Sequence, residues 1–255
     1  TGGGGPYMYD GRPYQRHGPT TRIMPREVYE RRVMEKLHST SRWENQSVAA
    51  GVTVADLDDE EIQLTVENAV ELGRLEPLKR KTTKAILTGL GLIVEGKLLN
   101  AAVALYGKSE RLQPLYPQCS IRLARFRGQN RLADFSDNRQ YWGNAFALLR
   151  RAETFLRDHV AIAGRIVPGR MKREDRAQYP PLATREAIAN ALCHRDYTTA
   201  GGAVAVGMYD DHLEIINTGT LHFDLTPKQL TKPHPSRPWN PIIAGVFYRA
   251  GIIEQ

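Results

Sequence analysis

The sequence predicts an α+β fold, in which a mainly helical segment is followed by an α/β sandwich. Helix-like and strand-like periodicities alternate along the second half of the chain, and neighbouring strand-like runs are joined by short polar turns. Hydrophobic residues make up 41% of the 255 residues, an ordinary share for a globular chain. These observations together favour a packed core with helices against antiparallel strands.

Residues 1–26 are rich in glycine, proline, tyrosine and arginine, and they predict a β-hairpin. Two short extended pieces flank Asp10 and Gly11, a dipeptide that favours a tight hairpin turn. Pro25 then stands where the first turn of a helix tolerates proline, and the helix should continue to about Leu37.

Residues 27–110 predict a helical segment. The acidic run 58–61 is typical of a helix start, residues 82–90 predict a second helix, and residues 92–106 predict an apolar hairpin with a Glu-Gly turn. Helix, helix and hairpin in this order resemble a winged-helix layout. A DNA-facing role and an ordinary basic helical linker both stay open for the cations near the second helix, which are Lys79, Arg80, Lys81 and Lys84.

The third part of the chain, residues 111–255, predicts the sandwich. In order along the chain, we expect a strand at 121–126, an amphipathic helix at 142–159, a basic loop at 164–178, a helix at 185–197, strands at 203–208 and 213–216, a long loop at 219–241 and a last helix at 241–253.

The predicted helix 185–197 carries a polar stripe. Glu186, Asn190 and His194 follow one another at intervals of four residues, a spacing that aligns them on one helix face. An amide oxygen suits Mg²⁺, and a carboxylate one turn away can orient and deprotonate a water aimed at a terminal phosphate. By spacing alone, however, an ordinary solvated helix face is the better explanation of the stripe.

The residues around the stripe favour a site. Arg185, Arg195 and Asp196 crowd the same region, and the strand at 213–216 is followed by Asn217, Thr218 and Gly219. A glycine at a strand end lets the backbone approach a ligand, and the long loop after it is typical of a lid.

Residues 179–197, Y-P-P-L-A-T-R-E-A-I-A-N-A-L-C-H-R-D-Y, resemble the signature of the RecG-like carboxy-terminal domain, a divergent GHKL ATPase module with the Bergerat fold. The resemblance extends over nearly the whole chain, through 98–108, 121–128, 213–219 and 236–241. Such modules usually follow an AlbA-type, Schlafen-like DNA-binding domain, and residues 6–22 are similar to its last hairpin. We therefore expect a truncated domain at 1–26, a winged-helix-like linker domain at 27–110 and an incomplete ATP-binding domain at 111–255.

The resemblance implies ATP and Mg²⁺ as cofactors. It implies Glu186 as the water-activating base and Asn190 as the Mg²⁺ ligand, and it places Asn217 and Gly219 where the family reads adenine. The family uses aspartate at the position of Asn217, so the uncharged amide should make a weaker contact. Whether ATP is hydrolysed stays open. The full set of expected cofactor-binding residues is Asn190, His194, Arg195, Asp196, Asn217 and Gly219.

Charge and composition limit the classes of partner and the cellular setting that we expect. The net charge of +7 suits DNA, and a homodimer is compatible with the resemblance. We find no run of about 18 apolar residues that could span a membrane. Two cysteines far apart favour a reducing, cytoplasmic setting. The function that the resemblance implies is an ATP-binding, GHKL-like module of a bacterial or archaeal DNA-associated regulatory protein. The alternative is a non-enzymatic, DNA-binding transcriptional regulator with a degenerate nucleotide pocket.

Two further expectations are negative. Residues 102–109, A-V-A-L-Y-G-K-S, mimic a P-loop, but strand-like residues precede them and Pro114 should interrupt a following helix, so we reject a P-loop. Without a P-loop or other motor sequence, helicase activity is not expected despite the name RecG-like. The glycine-rich start and the end at Gln255 also suggest a piece of a longer protein.

Overall fold

The computed structural model describes residues 7–77, 82–160, 162–165, 174–221, 225–230 and 237–254. The amino-terminal part forms an antiparallel three-stranded sheet from β1 (Tyr7–Tyr9), β2 (Arg12–His17) and β3 (Thr20–Ile23). Asp10 and Gly11 both have positive φ, at 47° and 67°, as a two-residue hairpin turn requires. The predicted hairpin is confirmed, and β3 adds a strand that the sequence did not predict.

A helical segment follows the sheet. Its elements are α1 (Arg26–Thr40), two short 3₁₀ helices (Trp43–Asn45 and Val54–Asp56), α2 (Asp59–Glu71), α3 (Thr83–Gly89), β4 (Ile93–Val94), β5 (Lys97–Leu98), α4 (Asn100–Tyr106) and α5 (Ser109–Leu115). The predicted order of helix, helix and hairpin is present, with Asp58 capping α2 as its side chain accepts from the Glu61 amide. Three of the cations assigned to this segment, Lys79 to Lys81, lie outside the described residues.

The second arm of the predicted apolar hairpin is wrong beyond Leu98, where β5 ends. Residues 100–106 form α4, in which every residue is buried, whereas a strand was expected there. A short apolar run without alternation has the same appearance in a buried strand and in a buried helix, so its periodicity cannot separate the two.

The main sheet has four strands in the order β11-β10-β6-β7: Leu213–Ile216, Val204–Met208, Ser120–Phe126 and Phe135–Trp142. Strands β6 and β10 run parallel, and both outer pairs are antiparallel. The sequence predicted three of these strands and missed β7, because this edge strand is mostly polar and only partly buried. Trp142, expected in a helix, ends β7.

Helices cover the sheet. α6 (Ala145–His159) begins where the Asn144 side chain accepts from the Ala147 amide, and it packs against α7 (Pro181–His194) and β6. Within the predicted loop 164–178, the described residues form a small pair of strands, β8 (Ile162–Arg165) and β9 (Glu174–Ala177). The remaining helices are α8 (Pro227–Leu230) and α9 (Pro241–Arg249).

One hydrophobic cluster joins the helical segment to the sandwich. It runs from Leu57 on one side to Phe247 on the other, without a break near residue 110. The wholly buried carboxylate of Glu44 accepts hydrogen bonds from the amides of Ile242 and Ile243, at the amino end of α9. Burial raises the pKa of Glu44, while these amides and Arg42 act in the opposite direction. The mixed fold confirms the α+β class, and the domain boundaries stay predictions.

No helix in the described part of the chain is both long enough and apolar enough to cross a membrane.

Candidate functional site

The polar stripe lies on α7 as the spacing predicts. Ile188 and Leu192 on this helix are fully buried, whereas Glu186 and Asn190 are exposed. His194 is the last residue of the helix and is half-buried. Within the described residues, neither Glu186 nor Asn190 has a hydrogen-bond or ion-pair partner. The stripe is therefore a solvent-facing helix edge whose two polar groups are available to a ligand.

A turn formed by Asn217, Thr218 and Gly219 packs against the carboxyl end of α7. A Cβ added to Gly219 would lie 1.9 Å from the carbonyl oxygen of His194, so only glycine fits. The Thr218 hydroxyl donates to the carbonyl of Asp196 (3.0 Å), and the Gly219 amide donates to Oδ1 of Asn217 (2.7 Å). The two segments that the sequence singled out thus meet in space.

Asn240 stabilises the carboxyl end of α7, and the sequence analysis did not single it out as a site residue. Its buried side-chain amide donates to the carbonyl oxygens of Cys193 and Arg195, both at 2.9 Å, while its backbone amide also donates to Cys193. Asn240 is the residue before α9, which begins with Pro241. Asparagine before proline at a helix start is the signal that could have drawn attention to it.

Arg195 is a core residue. It is 1% exposed, and its guanidinium donates to the carbonyl oxygens of Ser120 (3.4 Å) and Gly202 (2.9 Å). The same group lies 4.6 Å from the centroid of the Tyr197 ring, which stacks on Trp43. These contacts use both terminal nitrogens of the guanidinium, whereas its buried Nε has no hydrogen-bond partner among the described residues. A cofactor contact by Arg195 stays a prediction.

Asp196 forms a tight turn just after α7. Its carboxylate accepts from the Thr198 amide (2.8 Å), the Thr198 hydroxyl (2.6 Å) and the Thr199 hydroxyl (2.8 Å). Partial burial acts to raise the pKa of Asp196, but these hydrogen bonds and the nearby Arg195 charge outweigh burial, so the pKa lies below its usual value. Asp196 is therefore an anion at neutral pH.

A cavity of about 360 Å³ opens at this corner, between α1, the turn after α7 and the turn after β11. Three of the predicted site residues line this cavity: Arg195, Asp196 and Gly219. The other four are not part of its wall: Glu186, Asn190, His194 and Asn217. The wall also contains Trp239, from the predicted lid loop, and four residues that the sequence did not single out for this site: Met34, Leu37, His38 and Trp43. These residues are far apart in the sequence, so local patterns do not reveal that they line one cavity.

Both cysteines lie in surroundings that disfavour the reactive thiolate form. Cys119 and Cys193 are buried and free, and burial raises the pKa of Cys119 to about 12 and that of Cys193 further. Among the described residues, no group of three or more histidine, cysteine, aspartate or glutamate side chains could hold a metal ion.

The P-loop mimic is a junction between helices. Residues 102–106 belong to α4, not to the strand that was expected, and α5 continues through Pro114. The Lys108 ammonium donates to the carbonyl of Ala55 (2.9 Å). No glycine-rich loop precedes a helix here, so the P-loop is excluded for a different reason than the expected one.

Residues 201–255 match the family described as "Putative ATP-dependent DNA helicase recG C-terminal". This match contains the turn at Asn217 and the helix α9, and it supports the resemblance to a RecG-like carboxy-terminal domain over that part of the chain. The motif on α7 lies outside the matched residues. A search of curated proteins found no match.

In fold, the chain is similar to the crystal structure of the DIP2311 protein from Corynebacterium diphtheriae. The TM-score is 0.62 at 18% sequence identity, over 96% of this chain and 46% of that one. The chain thus spans about half the length of the similar structure. At this level of identity the likeness concerns the fold alone.

Proposed function

We propose that this chain is an ATP-binding, GHKL-like module of a DNA-associated regulatory protein. The observation that carries the proposal is the contact between Gly219 and the carbonyl of His194, which joins the end of the α7 stripe to the turn after β11. A nucleotide site of this class needs these two elements side by side. The family match over residues 201–255 supports the same reading.

The polar groups on α7 fit a magnesium nucleotide. Asn190 offers an exposed amide oxygen, a hard neutral ligand of the kind Mg²⁺ accepts together with water and phosphate oxygens. When bound, the ion would neutralise charge on the phosphates. Glu186, one turn earlier on the same exposed edge, would orient a water and accept its proton. His194 and Asp196 follow at the end of the helix, beside Gly219.

The loop after Gly219 would act as a lid over the nucleotide. Parts of it, residues 222–224 and 231–236, lie outside the described residues. Nucleotide state would bias a neighbouring DNA-binding domain, directly or through a homodimer. The net charge of +7 supports a polyanionic partner.

Calorimetry with ATP and Mg²⁺ tests the nucleotide part. Wild type should bind, and Asn190→Ala should bind at least about tenfold more weakly, because it removes the only protein ligand proposed for the ion. Asn138→Ala, at an exposed position of β7, is the matched control and should bind as wild type does. Lack of binding by folded wild type would refute the proposal.

The role of Glu186 as the general base that activates water can be tested separately from nucleotide binding. If phosphate is released from ATP, Glu186→Ala should reduce the rate by about 10²–10⁴-fold while sparing nucleotide affinity. Unchanged phosphate release in this variant would remove Glu186 from the mechanism without affecting the binding proposal.

A second candidate is a non-enzymatic, DNA-binding transcriptional regulator. The observation that favours it is Asn217, whose oxygen accepts from the Gly219 amide and whose amide lacks the charge of the family's aspartate. A gel shift at several salt concentrations tests the DNA contact. Affinity should fall steeply as salt rises, and an affinity that ignores salt would contradict phosphate contacts.

A further inference from the structure

The cavity between α1 and the two turns has a chemistry of its own. We infer that it is the base-binding part of the proposed nucleotide site, that it takes an amino-substituted purine, and that Asp196 rather than Asn217 accepts a hydrogen bond from the exocyclic amine. This inference rests on the proposed function and adds to it the position of the base and the part played by α1.

Asn217 is poorly placed for this task. Its Oδ1 accepts from the amide of Gly219, two residues away, and its side chain is not part of the cavity wall. The amide oxygen therefore serves the local turn that brings Gly219 against α7.

Asp196 lies in the cavity wall and can accept a further hydrogen bond. It lines the cavity, and a carboxylate has about four acceptor positions, of which the Thr198 amide and the two threonine hydroxyls fill three. Oδ2 accepts from the Thr199 hydroxyl alone among the described residues, and the inference assigns its second acceptor position to the ring amine. A hydrogen bond from a ring amine to an anionic carboxylate is stronger than one to an amide.

Aromatic and apolar side chains suit a flat ring. The Trp239 ring meets the His38 ring edge to face at 4.2 Å, and its indole N–H donates to the Thr220 carbonyl, so its orientation is fixed from two sides. From α1, Met34 and Leu37 line the cavity although 57% and 55% of their surface is exposed, which places them at its mouth. A volume of about 360 Å³ is adequate for a nucleoside.

Titration calorimetry with adenosine, inosine and Mg²⁺-ATP tests the inference on the whole chain. Inosine carries an oxygen where adenosine carries the amine, so wild type should prefer adenosine by about tenfold or more. Asp196→Asn should reduce this preference severalfold or abolish it. Equal binding of adenosine and inosine by wild type would overturn the role of Asp196.

Leu37→Glu tests whether the purine binds in this cavity, and it changes an exposed residue at the cavity mouth rather than a core residue. This variant should bind adenosine and ATP at least about tenfold more weakly, because a charged side chain replaces the apolar mouth. Leu115→Glu, at an exposed leucine of α5 away from the cavity, is the matched control and should bind normally. Thermal melts establish that each variant is folded.

Asn190→Ala separates the inference from the proposed function. It should weaken Mg²⁺-ATP binding and leave adenosine binding unchanged. If wild type binds ATP, but Leu37→Glu and Asp196→Asn behave as wild type, the cavity is not the base site and the proposed function stands. If adenosine binds and ATP binds no more tightly, with no effect of Asn190→Ala, the cavity stands and the magnesium site fails. Binding of neither compound refutes both.

Discussion

The Cα of Gly219 lies so close to His194 that a methyl group on it would reach within 1.9 Å of the His194 carbonyl oxygen. This contact is between backbones, so a flexible side chain cannot move away to relieve it. Gly219→Ala must separate α7 from the turn after β11, and we expect it to lower the free energy of unfolding by about 1–3 kcal/mol. Urea denaturation followed by circular dichroism measures the loss.

The matched control is Gly201→Ala. A Cβ at Gly201 meets nothing within 4 Å, so this change should be neutral or should stabilise the fold by up to about 1 kcal/mol. An equal loss in the two variants would mean that the close approach at Gly219 is not what the fold depends on.

The buried cysteines lead to a second prediction. Because burial raises the pKa of both thiols, the native protein should show no fast-reacting thiol with an aromatic disulfide reagent at pH 8, and two should react in urea. Ser136→Cys, at an exposed position of the edge strand β7, supplies a positive control and should add one fast-reacting thiol. Rapid labelling of wild type in the absence of denaturant would contradict the described core.

Local signals predicted much of the fold. The acidic cap predicted α2, the Asp10-Gly11 turn predicted β1 and β2, and the amphipathic period predicted α6. The sequence failed where local chemistry is ambiguous or uninformative. After Asn100 the residues of α4 are all hydrophobic, and β7 is a polar edge strand, so neither shows the period of its own structure.

In the candidate site, too, local sequence signals revealed some residues and missed others. Spacing alone brought Glu186, Asn190 and His194 onto one helix edge, and the glycine after a strand marked the turn at Gly219. The Asn-Pro pair at a helix start marks Asn240 locally, but its partners could not be predicted, because the carbonyls that its side chain contacts lie 47 and 45 residues away. Trp239 likewise meets His38 across 201 residues, and only the folded chain brings them to one cavity.

The Asp196 turn predicts a dependence of stability on pH. Its folded pKa is lowered from the ordinary value of 3.8, so the unfolded chain binds the proton more readily than the folded one. The stabilising contribution is therefore complete above the ordinary pKa and is lost as the pH falls through the lowered folded value. Asp196→Asn removes this contribution at every pH.

Urea denaturation at a series of pH values checks the sign. The difference in unfolding free energy between wild type and Asp196→Asn should be largest near pH 7 and should shrink below about pH 4. Thr198→Ala, which removes one of the donors to Asp196, should show an intermediate difference. A difference that grew on acidification would mean that Asp196 is held in its protonated form.

A substitution of Arg195 tests whether its guanidinium stabilises the turn after α7, next to the cavity. A lysine there keeps the charge but cannot reach two carbonyl oxygens with a planar fork or lie flat over the Tyr197 ring. Arg195→Lys should leave a buried carbonyl without a donor and lower the free energy of unfolding by about 2 kcal/mol or more. Arg151→Lys is the matched control, since Arg151 is exposed and lies over the Tyr141 ring at 5.0 Å, and its loss should stay below about 1 kcal/mol. If Arg195→Lys were as mild as the control, the guanidinium would not be a structural centre of this corner, and a role toward the ligand would again be the better explanation of its place beside the cavity.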